Sequence, residues 1–210
     1  VIVPIAVGLA CGLLAGAVNG VLVAYARIPA FIATLGMMVA ARGAARWWSN
    51  GDPVSFPTES FAALSNGDLL GTLTFGLVPA PGLNPVLIFL GLAILFQLLL
   101  KYSLYGRRCY AIGSNEEAAR MAGIDVARHK VLVYTIAGSL AAVAALVLSS
   151  KNLTAQAGMG IMYELDAIAM AVIGGVSLAG GRGSIVGTVL GALIFGVIIS
   201  GFTSIRLDAY

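Results

Sequence analysis

The sequence predicts an all-α fold: a polytopic bundle of membrane-spanning helices with about six spans, one domain over residues 1–210, and a short cytoplasmic helix. Three observations predict it. Hydrophobic residues make up 60% of the chain and charged residues 10%, with mean hydropathy +0.99, whereas about a quarter of an ordinary soluble domain is charged. Such a chain cannot coat its apolar surface against water, and a bilayer removes that penalty. Apolar runs of spanning length recur along it, and its basic residues gather in one loop.

A helix needs ~20 apolar residues to cross ~30 Å of hydrocarbon. The segments that approach this are 3–26, 30–48, 84–102, 131–150, 165–180 and 184–204. The fifth is short, and the pairs Gly174-Gly175 and Gly180-Gly181 predict a broken or tapered helix, tolerated where it is buried among other helices or lines a cavity.

Orientation follows from Lys and Arg, which concentrate in short cytoplasmic loops. The stretch 103–130 holds Arg107, Arg108, Arg120, Arg128 and Lys130, just after Lys101. The stretch 49–83 holds Asp52, Glu59 and Asp68 and no Lys or Arg. The first is read as cytoplasmic and the second as external. Arg27 and Arg182 then fall inside, and Lys151 alone of these three falls outside. The run from Val1 to Ala26 is too long for a signal-peptide core, and with no initiator Met the chain is expected to be a fragment or a trimmed product.

Inside the spans, Gly8, Gly12, Gly16 and Gly20 recur every fourth residue and stack on one face of the first helix. Gly183, Gly187 and Gly191 repeat the spacing in the last. Small residues at this spacing let membrane helices approach closely, so both stripes predict packing seams. Asn19 adjoins the first stripe and is expected to bond across it, with a solute contact as the alternative. Arg42 lies near the outer end of the second span beside Trp47 and Trp48. It either snorkels to the interface or stands on a polar pathway. Glu164 and Asp166 either cap the next helix or grip solute hydroxyls.

Catalytic chemistry lacks its components. His129 is the single histidine and is expected in the loop near the membrane surface; neither it nor Cys11 and Cys109 forms a zinc pattern. The different environments of the two cysteines argue against a disulfide. Gly180 to Ser184 has no Lys at Walker spacing, so no ATP hydrolysis is expected here. Ser139, Ser149 and Ser150 lack a neighbouring base and are expected to bond back to their own helices. Arg42, without an acidic partner in its span, argues against ion-coupled secondary transport.

The most informative stretch is Gly113-Ser114-Asn115-Glu116-Glu117-Ala118-Ala119-Arg120-Met121-Ala122-Gly123. Ser114 and Glu117 have capping-box spacing and Gly123 suits a left-handed stop, predicting about two helical turns between them. Ala118, Ala119 and Ala122 form a small-residue face with Met121 as an adaptable contact. The helix either docks into a groove on another protein or lies on the membrane.

Glu117-Ala118-Ala119 followed by Gly123 resembles the EAA signature of ABC importer permeases. Four colinear blocks narrow the resemblance to the ribose/xylose/arabinose class: Ile28 to Met37, Gly106 to Asn115, Tyr163 to Ala169 and Gly180 to Ser184. Ser114 departs from a common Gly, and the Leu-Pro that closes the signature in other importer classes is absent. The resemblance implies ATPase coupling through Glu117, Ala118, Ala119, Arg120 and Gly123. It implies import of a monosaccharide by alternating access across the bacterial inner membrane, with a nucleoside or another small solute as the alternative. It also implies an ATPase subunit binding ATP and Mg, a second permease copy as homodimer partner, and a periplasmic or extracellular sugar-binding protein. No cofactor in this chain and no nucleic acid are expected, and the family's chains extend beyond both ends of this one.

Overall fold

The computed structural model describes residues 2–56, 59–67 and 82–205. Their elements are α1 (Ile2–Ala24), α2 (Ala30–Ser49), β1 (Val54–Ser55), α3 (Glu59–Asn66), α4 (Asn84–Tyr102), α5 (Leu104–Ser114), α6 (Glu116–Met121), α7 (Val126–Asn152), β2 (Thr154–Ala155), α8 (Tyr163–Ile173) and α9 (Ile185–Ser204). The all-α polytopic class holds. Contacts divide the chain into two compact units, Val1–Phe89 with Asp125–Met159, and Leu90–Ile124 with Gly160–Tyr210.

The first unit is built on the α1–α7 seam, and the glycine stripe explains it. A Cβ at Gly12 would lie 2.5 Å from the Gly138 carbonyl oxygen, and one at Gly20 would lie 2.7 Å from the Val131 Cα. At Gly16 it would run into the Tyr134 carbonyl, and at Gly8 it would press on Leu146 at 3.2 Å. The helices therefore run antiparallel with backbone against backbone, a spacing only glycine allows. Asp125 starts α7 by accepting from the Arg128 N–H at 3.1 Å, so the helix begins five residues before the predicted 131.

At the other end of α7, Ser150 is fully buried. Its hydroxyl donates to the Phe61 carbonyl at 2.7 Å and accepts from the Ser65 N–H at 3.1 Å. Asn84 adds a bond from Nδ2 to the Ala63 carbonyl at 2.9 Å. The antiparallel β1–β2 pair, with Val54 opposite Ala155, completes the clamp on α3. Ser139 and Ser149 bond back to their own helix as expected, to Ile136 and Ala145. Ser150 does not, because α3 offers it longer-range partners.

In the second unit α8 packs on α9. A Cβ at Gly191 would strike the Met170 carbonyl, and one at Gly187 would strike that of Gly174. Gly183 departs from the expected stripe: it precedes α9, whose N-cap is Ser184, and adopts φ +153° beside Val176.

Four helices among the described residues are long and apolar enough to span a membrane: α1, α4, α7 and α9. The expected number of about six therefore divides. Segment 30–48 lies within α2, a helix of 20 residues from Ala30 to Ser49, but Arg42 and Arg46 dilute its apolar character. Segment 165–180 is helical only over Tyr163–Ile173; at ~1.5 Å per residue its eleven residues cover roughly half of ~30 Å. Gly175, Gly180 and Gly181 then take positive φ and turn the chain. The expected external loop 49–83 contains β1 and α3, while its residues 57–58 and 68–81, Asp68 among them, lie outside the described residues, as do Val1 and 206–210.

Candidate functional site: the α5–α6 corner

A helix absent from the sequence expectation comes first. Residues 104–114, read as loop, form α5 because Ser103 caps them: its hydroxyl accepts from the Gly106 N–H at 3.2 Å and donates to the Leu99 carbonyl at 2.5 Å. Gly106 is buried against Leu100, where a Cβ would collide with backbone. The overlooked signal is Ser103 three residues before an N–H that needs an acceptor.

α6 turns off α5 through one residue. Asn115 donates its N–H to Ala111 at the end of α5, and its side chain accepts from the Ala118 N–H at 3.0 Å to start α6. This corrects the predicted cap: Asn115 performs it, and Ser114 is the last residue of α5. At the far end Gly123 adopts φ +82°, its N–H donating to Arg120 and that of Ile124 to Ala119. These two bonds form a Schellman stop, which favours glycine at that position.

The corner divides the sequence-predicted residues by face. Ala119 is 4% exposed and packs inward. Glu117, Ala118 and Ala122 are exposed, and Met121 is 84% exposed. Arg120 pairs with Glu116 at 2.7 Å one turn away, a solvated pair worth about 0.5 kcal/mol at most. Glu117 is thus the anionic group beside a small apolar surface. On α5, burial raises the Cys109 thiol above its ordinary range, with a Tyr105 hydrogen bond opposing the shift; burial likewise raises Tyr105.

The candidate pathway residues divide between the two units, Asn19 and Arg42 in the first and Glu164 and Asp166 in the second. Asn19 lies on α1 beside the seam, and its Oδ1 is buried with no partner among the described residues, so the expected bond across the seam is not made. Arg42 is half-buried on α2 and has no ion pair among the described residues, while Trp47 and Trp48 are widely exposed. Glu164 and Asp166 are not caps, since α8 starts from Met162 at φ +71° with no side-chain cap bond. They lie in its first turn, where carboxylates complement the helix dipole. Carrying on the antiparallel register of Met170 with Gly191 and Gly174 with Gly187 puts Asp166 level with Phe195 and Glu164 level with Val197, near the middle of α9. His129 belongs to the first turn of α7, not to a loop. Neither cysteine is in a disulfide, and no described group of His, Cys, Asp and Glu could hold a metal.

The family described as the branched-chain amino acid transport system / permease component matches residues 1–207. The ribose import permease protein of Escherichia coli K12 is 41% identical over the whole chain, which covers 63% of that relative. The L-arabinose transport system permease protein of the same organism is 38% identical, over 92% of this chain and 56% of its own length. The galactose/methyl galactoside import permease protein of Haemophilus influenzae is 36% identical, over 96% and 59%. No solved structure matches. A family match along nearly the entire chain, added to its apolar helices and capped corner, means that this protein belongs to the branched-chain amino acid transport system / permease component family.

Proposed function

We propose that this chain is the membrane-spanning part of an ATP-driven importer for a pentose or hexose, working by alternating access in the bacterial cytoplasmic membrane. Its α6 is the surface on which a separate ATPase subunit acts. The observation that carries this is the α6 face: a rigidly capped two-turn element whose Glu117, Ala118, Met121 and Ala122 are exposed while Ala119 anchors it from beneath. ATP and Mg bind in the ATPase partner, and this chain supplies the translocation path. A second permease copy and an extracytoplasmic sugar-binding protein complete the assembly.

Two contacts support the orientation derived from charge. The β1–β2 pairing and the Ser150 clamp tie 54–66 to the end of α7 nearest Lys151, as an external loop requires. Tyr110 bonds to Gly183 beside Arg182, which joins two stretches read as cytoplasmic. Glu164 and Asp166 in the second unit and, separately, Arg42 and Asn19 in the first are the polar groups proposed as candidates to meet sugar hydroxyls.

The test is reconstitution of the permease with its ATPase in liposomes, adding the binding protein with ribose, arabinose or galactose in turn. ATP-dependent uptake of at least one sugar is expected. Glu117→Ala is expected to lower sugar-stimulated ATP hydrolysis by about tenfold or more, the scale of a lost charge-assisted hydrogen bond. Unaltered stimulation in that variant would remove α6 from the coupling role.

A further inference from the structure

We propose that the contact between the C-terminal end of α5 and the turn at 180–183 is the junction that carries displacement of α6 into the α8–α9 pair, with Tyr110 as its positioning residue. The inference rests on α6 being the ATPase-coupling helix, and concerns what happens beyond it.

The junction is backbone on backbone. A Cβ at Gly113 would lie 2.5 Å from the Gly181 nitrogen, and one at Gly180 would lie 2.7 Å from the Gly113 oxygen. A Cβ at Gly181 would lie 2.9 Å from the Ser114 Cα and 3.0 Å from its nitrogen. One directed bond crosses the same contact: the Tyr110 hydroxyl donates to the Gly183 carbonyl at 2.8 Å. Close-packed surfaces without intervening rotamers leave no slack, so a push on one side displaces the other.

Both sides of the contact are stiff. Toward α6, the single residue Asn115 caps α5 and α6 together, so the corner holds no free linker. Toward α9, the turn is closed by bonds from the Ser177 N–H to Arg182 at 3.0 Å and from the Gly180 N–H to Ser177 at 3.1 Å. Gly183 leads directly to Ser184, whose hydroxyl caps α9 by accepting from the Gly187 N–H. α9 is in turn locked to α8 through Gly187 and Gly191. Movement of α6 therefore reaches the half-length helix α8 and its carboxylates without passing through a flexible segment.

The experiment measures sugar molecules imported per ATP hydrolysed, in liposomes holding the permease with its ATPase and binding protein. A loss of folded complex lowers both rates together and leaves this ratio unmoved. Tyr110→Phe removes one hydroxyl and adds no bulk, and is expected to lower the ratio about two- to tenfold, the scale of one hydrogen bond. Gly181→Ala, at φ +73°, is expected to lower it further; should it not assemble, Tyr110→Phe decides. A wild-type ratio in Tyr110→Phe overturns the junction and leaves the importer function standing. No ATP-dependent uptake by the wild type itself overturns both.

Discussion

At Cys109 burial and a neighbouring hydroxyl act in opposite directions on one thiol. Burial raises it, and the Tyr105 hydrogen bond partly offsets the rise. The folded chain thus disfavours the thiolate relative to the unfolded chain. That costs the fold nothing while pH stays below the ordinary thiol range, and it draws on stability as pH rises through that range. In a Cys11→Ala background, the pH midpoint for alkylation of Cys109 by iodoacetamide is expected above that of the same chain unfolded in denaturant. A midpoint equal to or below the unfolded one contradicts the burial argument. At the same scale, Gly123 was legible from sequence because a left-handed helix stop favours glycine. The cap was misassigned because Ser114 and Asn115 are both good N-caps. The choice depended on where α5 ended, and its C-terminal end lies against Gly180 and Gly181, far away in sequence.

Among elements, the α1–α7 seam is the clearest case of spacing becoming structure. Glycines at every fourth position announced a close-packed face, and the partner turned out to be α7, whose Gly138 returns the fit. Gly16→Leu forces a side chain into the Tyr134 backbone and is expected to cost about 1–3 kcal/mol or more by overpacking. Lowered thermal stability in detergent checks it, and an unchanged unfolding temperature would show that the seam is not closed in the protein. The α3 clamp was not legible. Nothing in Ser150 distinguishes it from Ser149, yet one bonds to its own helix and the other to Phe61 and Ser65 of a different element. Helix α5 escaped as well, because Gly106 and Gly113 lower helix propensity and only tertiary contacts, with Leu100 and Gly181, account for them.

For the whole molecule, the apolar side chains that a soluble protein would bury are turned outward. Val197, Leu193, Leu14 and Val7 are all exposed, and only Ala33, Phe61, Ala119 and Val126 form a buried hydrophobic set among the described residues. That arrangement suits lipid as solvent. The proposed orientation predicts opposite accessibility for two exposed positions. In a cysteine-free background, Asp52→Cys is expected to react with a membrane-impermeant maleimide in right-side-out vesicles, and Glu117→Cys only in inverted ones. The reverse pattern would invert the topology and take α6 away from the cytoplasm.

Composition and periodicity by themselves determined that this chain is a membrane helix bundle, where its long apolar helices lie, and which face of α1 forms a seam. These properties are local: hydropathy is summed residue by residue, and a stripe of glycines declares its own spacing. The resemblance carried by Glu117-Ala118-Ala119 and its neighbouring blocks located the family. Tertiary structure alone decided that segment 165–180 is a half-length helix followed by a glycine turn, that α3 is clamped by Ser150, and that Tyr110 and Gly113 meet residues 180–183. Each of those depends on backbone groups distant in sequence satisfying one another, and no single stretch of the chain encodes its partner.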